Sequence, residues 1–239
     1  MKVDTTIHKM DTGAVFMRLL GNTLPVIIIP ALLASLLFFA PNLSAADAGE
    51  KLSSLEQDIL NEVNLARTDP QTYKSYLREF RNRYRGFNLY IKKRTVIKTR
   101  EGVSAVDEAL KFMDSQRRLG ALKLSGGMTL GAREHVREQG ATGGTGHISA
   151  NGTSPGDRVD RHGKWQETVG ENIYYGSGMG ARQMVMGFII DDGVPDRGHR
   201  EAIFNPKFRV AGVACGPHKV YRTMCVVTFA AGYREKSVP

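Results

Sequence analysis

The sequence predicts an α+β domain on three observations. Apolar residues recur at helical spacing through most of the chain after residue 50, two strand-like runs close it, and no repeat or Pro/Ser-rich linker divides the part between. Ser53-x-x-Glu56 reads as a capping box, after which Leu52, Leu55, Ile59, Val63 and Ala66 mark one face of a first helix. Asp69-Pro70 restarts a second helix, with proline at the first helical position and Tyr73, Tyr76, Leu77, Phe80 and Tyr84 as its apolar stripe. Ser104 is the expected cap of a third, bearing Val106, Leu110 and Met113. Met128, Ala132 and Val136 line a fourth, expected to end at Gly140. Ala181, Met184, Val185, Phe188 and Ile189 line a helix entering Asp191-Asp192-Gly193. The strand-like runs are Phe208 to Cys215 and Thr223 to Ala231, so helices are expected around a small antiparallel sheet.

The N-terminus reads as a targeting segment. Leu24 to Ala40 is an almost uninterrupted apolar run, preceded by Lys9 and Arg18 and followed by Ser44, Ala45, Ala46 and Ala48. Ala46-Asp47-Ala48 offers an A-x-A cleavage site. An uncleaved anchor is the alternative, since the run falls just below the ~18 to 20 residues of a spanning helix. Residues 1–48 are thus expected to be a signal peptide or membrane anchor, and 49–239 one domain, of about 190 residues. Either way the domain is expected to be secreted, periplasmic or attached to the cell envelope.

Cys215 and Cys225 are the chain's two cysteines. If the two strands form a hairpin turning near Val220, the cysteines lie opposite each other on one face, and a disulfide is expected in an oxidising compartment. A pair of buried free thiols is the alternative.

The charge is concentrated. Between Pro70 and Arg100 stand ten basic residues against one acid, Glu79, a surplus equal to the chain's whole formal net charge of +9. Arg81, Arg83, Arg85, Lys92, Lys93 and Arg94, with Tyr84, Phe87 and Tyr90 beside them, are the candidate polyanion-binding residues. Anionic lipid or cell-wall polymer suits an exported protein. Nucleic acid is not expected, because there is no helix-turn-helix or zinc-finger pattern. A solvated face is the bland alternative.

The last third carries the chemistry: Gly146-His147-Ile148-Ser149, Gly170-Glu171-Asn172-Ile173, Asp191-Asp192-Gly193 and Gly198-His199-Arg200 followed by Ile203-Phe204-Asn205-Pro206, all read as loops. These residues are too dispersed for a local metal motif and converge only through the fold. With Asn64-x-x-Arg67 in the first helix and Leu122-x-Leu124 before a later one, the phrases closely resemble the CAP superfamily (SCP or PR-1-like domain) in its bacterial exported form, over about Ser54 to Tyr233. The resemblance implies an α-β-α sandwich, and it makes Pro70 to about Arg118 an insertion, because the usual link between the first two helices is much shorter. It also implies a central cavity lined by two histidines and two acids. His147, Glu171 and His199 match the first histidine, the first acid and the second histidine, and Asp191 stands where the second acid is usually a Glu.

The expected function is therefore a cleft of His147, Glu171, Asp191 and His199 that binds a divalent metal such as Zn²⁺ through the two histidines, a small lipid-like or apolar ligand, or both, with the insertion docking to an anionic surface. A purely structural network is the competing reading. The runner-up function is a Zn-dependent hydrolase with a metal-activated water and Glu171 as base. The chain lacks Gly-x-Ser-x-Gly and His-Glu-x-x-His, so a non-catalytic module is the leading expectation. Arg158, Arg161 and Trp165 read as scaffold beneath the site loop, His135 and His162 as ordinary helix or surface residues, and His218 as an exposed turn residue.

Overall fold

The computed structural model describes residues 2–9, 51–92 and 95–237. The chain runs β1 (Lys2–Lys9), α1 (Ser54–Thr68), α2 (Pro70–Arg81), β2 (Tyr84–Arg85), β3 (Asn88–Lys92), β4 (Thr95–Lys98), α3 (Val103–Ser115), β5 (Lys123–Leu124), α4 (Gly126–Thr142), α5 (Pro155–Asp160), β6 (Gly163–Gly176), α6 (Ala181–Ile190), α7 (Gly198–Ile203), β7 (Val210–His218) and β8 (Arg222–Glu235). The apolar run from Leu24 to Ala40 and the candidate cleavage site lie outside the described residues, as do Lys93 and Arg94 and the side chain of Lys92. No helix of the described residues is long and apolar enough to cross a membrane.

The main sheet has the order β1-β6-β8-β7-β5, with β6, β8 and β7 antiparallel. Side chains alternate between its faces. Val169, Ile173 and Tyr175 of β6 pack with residues of α4 and α5. Tyr174 on β6 and Val227 and Phe229 on β8 face the larger core built with α1, α6 and α7. Helices thus cover both faces, the α-β-α sandwich expected.

The capping box is present in full: Ser53 accepts from the Glu56 N–H, and the Glu56 carboxylate accepts from the Ser53 N–H. Asp69 caps the second helix, with Pro70 at its start. Cys215 and Cys225 face each other across β7 and β8 and are joined by a disulfide. Asn64-x-x-Arg67 ties α1 to segments far from it in sequence. The Asn64 amide pairs with both the N–H and C=O of Leu122. The Arg67 guanidinium, 1% exposed, donates to the carbonyls of Gly120, Ile203, Asn205 and Phe208. Burial lowers its pKa to about 10, still above neutrality.

Three expectations need correction. Ser104 does not cap α3; Gly102 does, at φ +67, a conformation that favours glycine, and a Cβ there would collide with the Gly86 carbonyl oxygen. No side chain caps the helix; Asp192 instead holds the turn that leads into it, accepting from the N–H groups of Arg100, Glu101 and Gly102. The fourth helix runs two residues past Gly140, to Thr142, and ends on left-handed Gly143. Gly170 to Ile173, expected in a loop, lies within a 14-residue strand, Gly163–Gly176. Lys2–Lys9, within the segment expected as signal peptide or anchor, pairs with β6, placing Thr6 opposite Glu171 and Thr5 opposite Asn172.

The insertion is α2, a three-stranded sheet β2-β3-β4, and α3. Its basic surplus is partly neutralised from α3: Lys74 pairs with Asp114 and Arg81 with Asp107. Arg81 thus shares its charge with an exposed carboxylate of the insertion itself.

Candidate functional site

The four expected site residues form two histidine–acid pairs. His147 lies on the loop after α4, and its Nδ1 is 2.9 Å from Glu171 Oε1 in the middle of β6. His199 opens α7, and its Nδ1 is 2.5 Å from Asp191 Oδ1, while its backbone N–H donates to Asp191 Oδ2 at 2.9 Å. Asp191 sits at the C-terminus of α6 with φ +58, a left-handed cap that Asp tolerates better than most residues. That turn of the backbone aims both carboxylate oxygens at α7. All four side chains are buried, and Glu171, Asp191 and His199 are 0% exposed.

Both pairs make contact with β6. Glu171 belongs to the face that meets α4 and α5, whereas Asn172, next in sequence, sends its amide the other way and donates to the His199 carbonyl at 3.0 Å. His199 also stacks on Phe188, ring centroids 5.5 Å apart. The uneventful word Glu-Asn therefore couples the two pairs, one residue to each.

Arg158 completes the first pair. Fully buried on α5, it donates from one amino group to both Glu171 oxygens, at 3.0 and 2.8 Å, and from the other to the carbonyls of His147 and Thr153 and to Ser149 Oγ. Burial alone would raise the Glu171 pKa. The bond from His147 and the Arg158 charge outweigh it, leaving the carboxyl below its ordinary value. A carboxylate so engaged is a weak base, which counts against the hydrolase reading in which Glu171 activates water. Ser149, the hydroxyl nearest His147 in sequence, is buried against Arg158 and His135.

Hydrogen bonding fixes the tautomers. A carboxylate only accepts, so Nδ1 carries the proton in both His147 and His199, and in the neutral ring Nε2 holds the lone pair. His199 Nε2 is buried and has no hydrogen-bond partner among the described residues.

His135 is not the ordinary helix or surface residue expected. It is 0% exposed, its Nε2 donates to the Gly146 carbonyl at 2.8 Å, and its Nδ1 lies 3.4 Å from Ser149 Oγ. Its proton is therefore on Nε2, the opposite arrangement, and it braces the loop that carries His147. The signal is present in the sequence, since Met128, Ala132, His135 and Gln139 fall on one helical stripe, and all are buried. His218, expected exposed, is 3% exposed and holds the Gly144 carbonyl and two turn N–H groups. His162 is half-buried and pairs with Glu134.

Burial pushes the His135 pKa below its ordinary 6.5, with Glu171 and the Gly146 carbonyl pulling it up and Arg158 pushing it down. A histidine with a lowered folded pKa binds fewer protons folded than unfolded, so its contribution is complete above pH 6.5 and declines as pH falls below that value. Urea midpoints are expected to drop between about pH 7.5 and 5.5, and His135→Gln, which keeps a donor to Gly146, should flatten that part of the profile. An unchanged slope would contradict the assignment.

Among the described residues no three His, Cys, Asp or Glu side chains converge as a ready-made metal cage. A cavity of about 100 Å³ lies between α6 and the insertion sheet, lined by apolar Phe80, Tyr84, Leu89, Ile97, Met179 and Ile190 and by polar Thr99, Arg100, Gln183 and Asp192 among others, and by none of the four site residues. Of the candidate polyanion residues, Arg83 lies over the Phe80 ring and Arg85 donates to the carbonyls of Asn82 and Tyr84.

A family model described as "CAP: Cysteine-rich secretory protein family" matches residues 60–229. No curated protein matches the chain. Among solved structures, an extracellular protein containing an SCP domain from Bacillus anthracis is similar at 20% identity and a TM-score of 0.38, over 54% of this chain and 37% of that one. The chain thus spans little more than a third of that protein's length. An outer surface protein from Borrelia burgdorferi is similar at 17% identity and a TM-score of 0.39, over 56% of this chain and 88% of that one. The family match reaches from α1 to the centre of β8 and takes in Asn64, Arg67 and both histidine–acid pairs. The chain belongs to the CAP (cysteine-rich secretory protein) family.

Proposed function

We propose that the protein is an exported CAP/SCP binding module in which His147 and His199 hold a divalent cation through Nε2, with Glu171 and Asp191 as orienting partners. The observation that carries this reading is the bare Nε2 of His199, a lone pair in a fully buried ring whose other nitrogen is fixed by Asp191. A buried acceptor left unsatisfied costs ~1 to 3 kcal/mol, which a cation or water would offset. An imidazole that donates its other N–H to a carboxylate is the usual form of a metal-ligating histidine. The donor set fits Zn²⁺ or a similar cation held by two imidazoles, with the remaining positions left to water or a ligand. When bound, the cation would supply a Lewis-acid centre with open coordination. Glu171 and Asp191 would set the ring tautomers, and Arg158 would hold Glu171 ionised.

A small ligand, the other expectation, would find room in the cavity beneath the insertion sheet, whose lining is part apolar and part polar. Export is supported by the apolar leader and by the disulfide.

Calorimetric titration of Zn²⁺ into the chelator-stripped chain tests the metal site. One Zn²⁺ per chain is expected, lost in both His147→Ala and His199→Ala. Asp191→Asn should weaken it by roughly 10- to 100-fold, the usual effect of removing a ligand's hydrogen-bond partner. Undiminished binding in His199→Ala would remove the reading.

A further inference from the structure

The small insertion sheet has two unlike faces. Its register aligns Tyr84, Leu89 and Ile97 across the three strands, and it aligns Arg85, Asn88 and Lys98 in the next row. Tyr84 and Leu89 are buried, and with Ile97 they line the inner cavity. Strand parity sends Arg85, Asn88, Lys98, Tyr90 and Val96 to the outer face. On that face Tyr90 is 43% and Val96 48% exposed, and Phe87, in the turn between β2 and β3, is 58% exposed. Three of the large exposed apolar side chains thus sit together on one small sheet.

The charge there is of one sign. Residues 80 to 100 contain no Asp or Glu. Arg83, Arg85 and Lys98 are exposed, and none has a carboxylate partner among the described residues. This contrasts with Lys74 and Arg81, whose charges are matched from α3. Burial of Tyr84 and Leu89 seats the inner face on the domain and leaves the outer face exposed.

We propose that this outer face docks on the surface of an anionic lipid bilayer, with Phe87, Tyr90 and Val96 entering the headgroup region and Arg85 and Lys98 pairing with lipid phosphates. Aromatic side chains with a polar tip favour that interface, and basic residues beside them are drawn to its negative potential. A soluble polyanion would satisfy the cations but leave the three apolar groups in water. For that reason lipid is the occupant, and wall polymer is not. The proposal is independent of the metal at the histidines.

The test places a reporter where the outer face should enter. Phe87→Trp in the full chain is mixed with phosphatidylglycerol vesicles carrying brominated acyl chains, with the wild type, whose single Trp165 lies on β6, as the blank. Quenching of the introduced indole is expected on phosphatidylglycerol and absent on pure phosphatidylcholine. Combining the reporter with Arg85→Gln and Lys98→Gln should lower the partition coefficient that sets the quenched fraction by roughly thirtyfold, from the worth of two surface cations. Raising ionic strength should act in the same direction, because exposed charges are screened within ~8 Å at physiological salt. The reporter reads this site alone, so vesicle binding through the N-terminal apolar run without quenching of the introduced indole would overturn the proposal. So would equal quenching on both lipids, or binding of a soluble anionic polymer in preference to vesicles.

Discussion

Arg158→Met is expected to destabilise the domain by about 3 to 5 kcal/mol, the usual cost of removing one partner of a buried ion pair. Its guanidinium bridges both oxygens of Glu171, which is 0% exposed, and also supports the His147 and Thr153 carbonyls. Methionine fills comparable space but leaves a buried carboxylate facing His147 with no permanent cation. Adding Glu171→Gln should recover part of the loss, because the amide removes the orphaned charge, and the two effects should couple by ~0.5 to 3 kcal/mol as for contacting residues. Urea denaturation of the two single variants and the double variant gives the cycle. A loss under about 1 kcal/mol in Arg158→Met, or strict additivity, would show that Glu171 is held by something else.

Arg67→Met is expected to cost at least about 3 kcal/mol, since hydrogen bonds to charged groups contribute ~1.5 to 3 kcal/mol each and four carbonyls lose their donor at once. Those carbonyls belong to the strand approach at Gly120, to the end of α7 and to the segment leading into β7. Arg67→Lys should rescue little, as a single ammonium cannot span four acceptors arranged around a planar fork. Because Ile203 and Asn205 follow His199 closely, the variant should also loosen α7, seen as faster amide exchange there than in α4. Uniform exchange across both helices would contradict a local anchor.

How much of the fold is legible in the sequence depends on whether the signal is local. The capping box at Ser53 and Glu56, the Asp69-Pro70 restart and the cysteine-bearing hairpin are all written within a few residues, and the structure carries each of them. β6 is hidden because Gly170, Glu171 and Asn172 interrupt its apolar pattern. The strand is buried on both faces and uses two adjacent polar residues to hold two different histidines, so neither alternation nor a continuous apolar run marks it. Asp191 is the insecure member of the acid pair on sequence grounds. Its left-handed cap brings the shorter side chain onto His199, so an Asp suffices where the family resemblance implies a Glu. Counting charges between Pro70 and Arg100 overstates the free basicity, because Asp107 and Asp114 approach from a helix later in the chain.

The histidine rings themselves offer the most direct measurement. Long-range ¹H–¹⁵N correlation spectra of the chelator-stripped chain should show His199 protonated at Nδ1 and bare at Nε2, and one equivalent of Zn²⁺ should move the Nε2 resonances of His147 and His199 while leaving His135 in its opposite tautomer. A His199 ring protonated at Nε2, or rings unmoved by Zn²⁺ in the folded protein, would make the two histidine–acid pairs struts of the sandwich and nothing more.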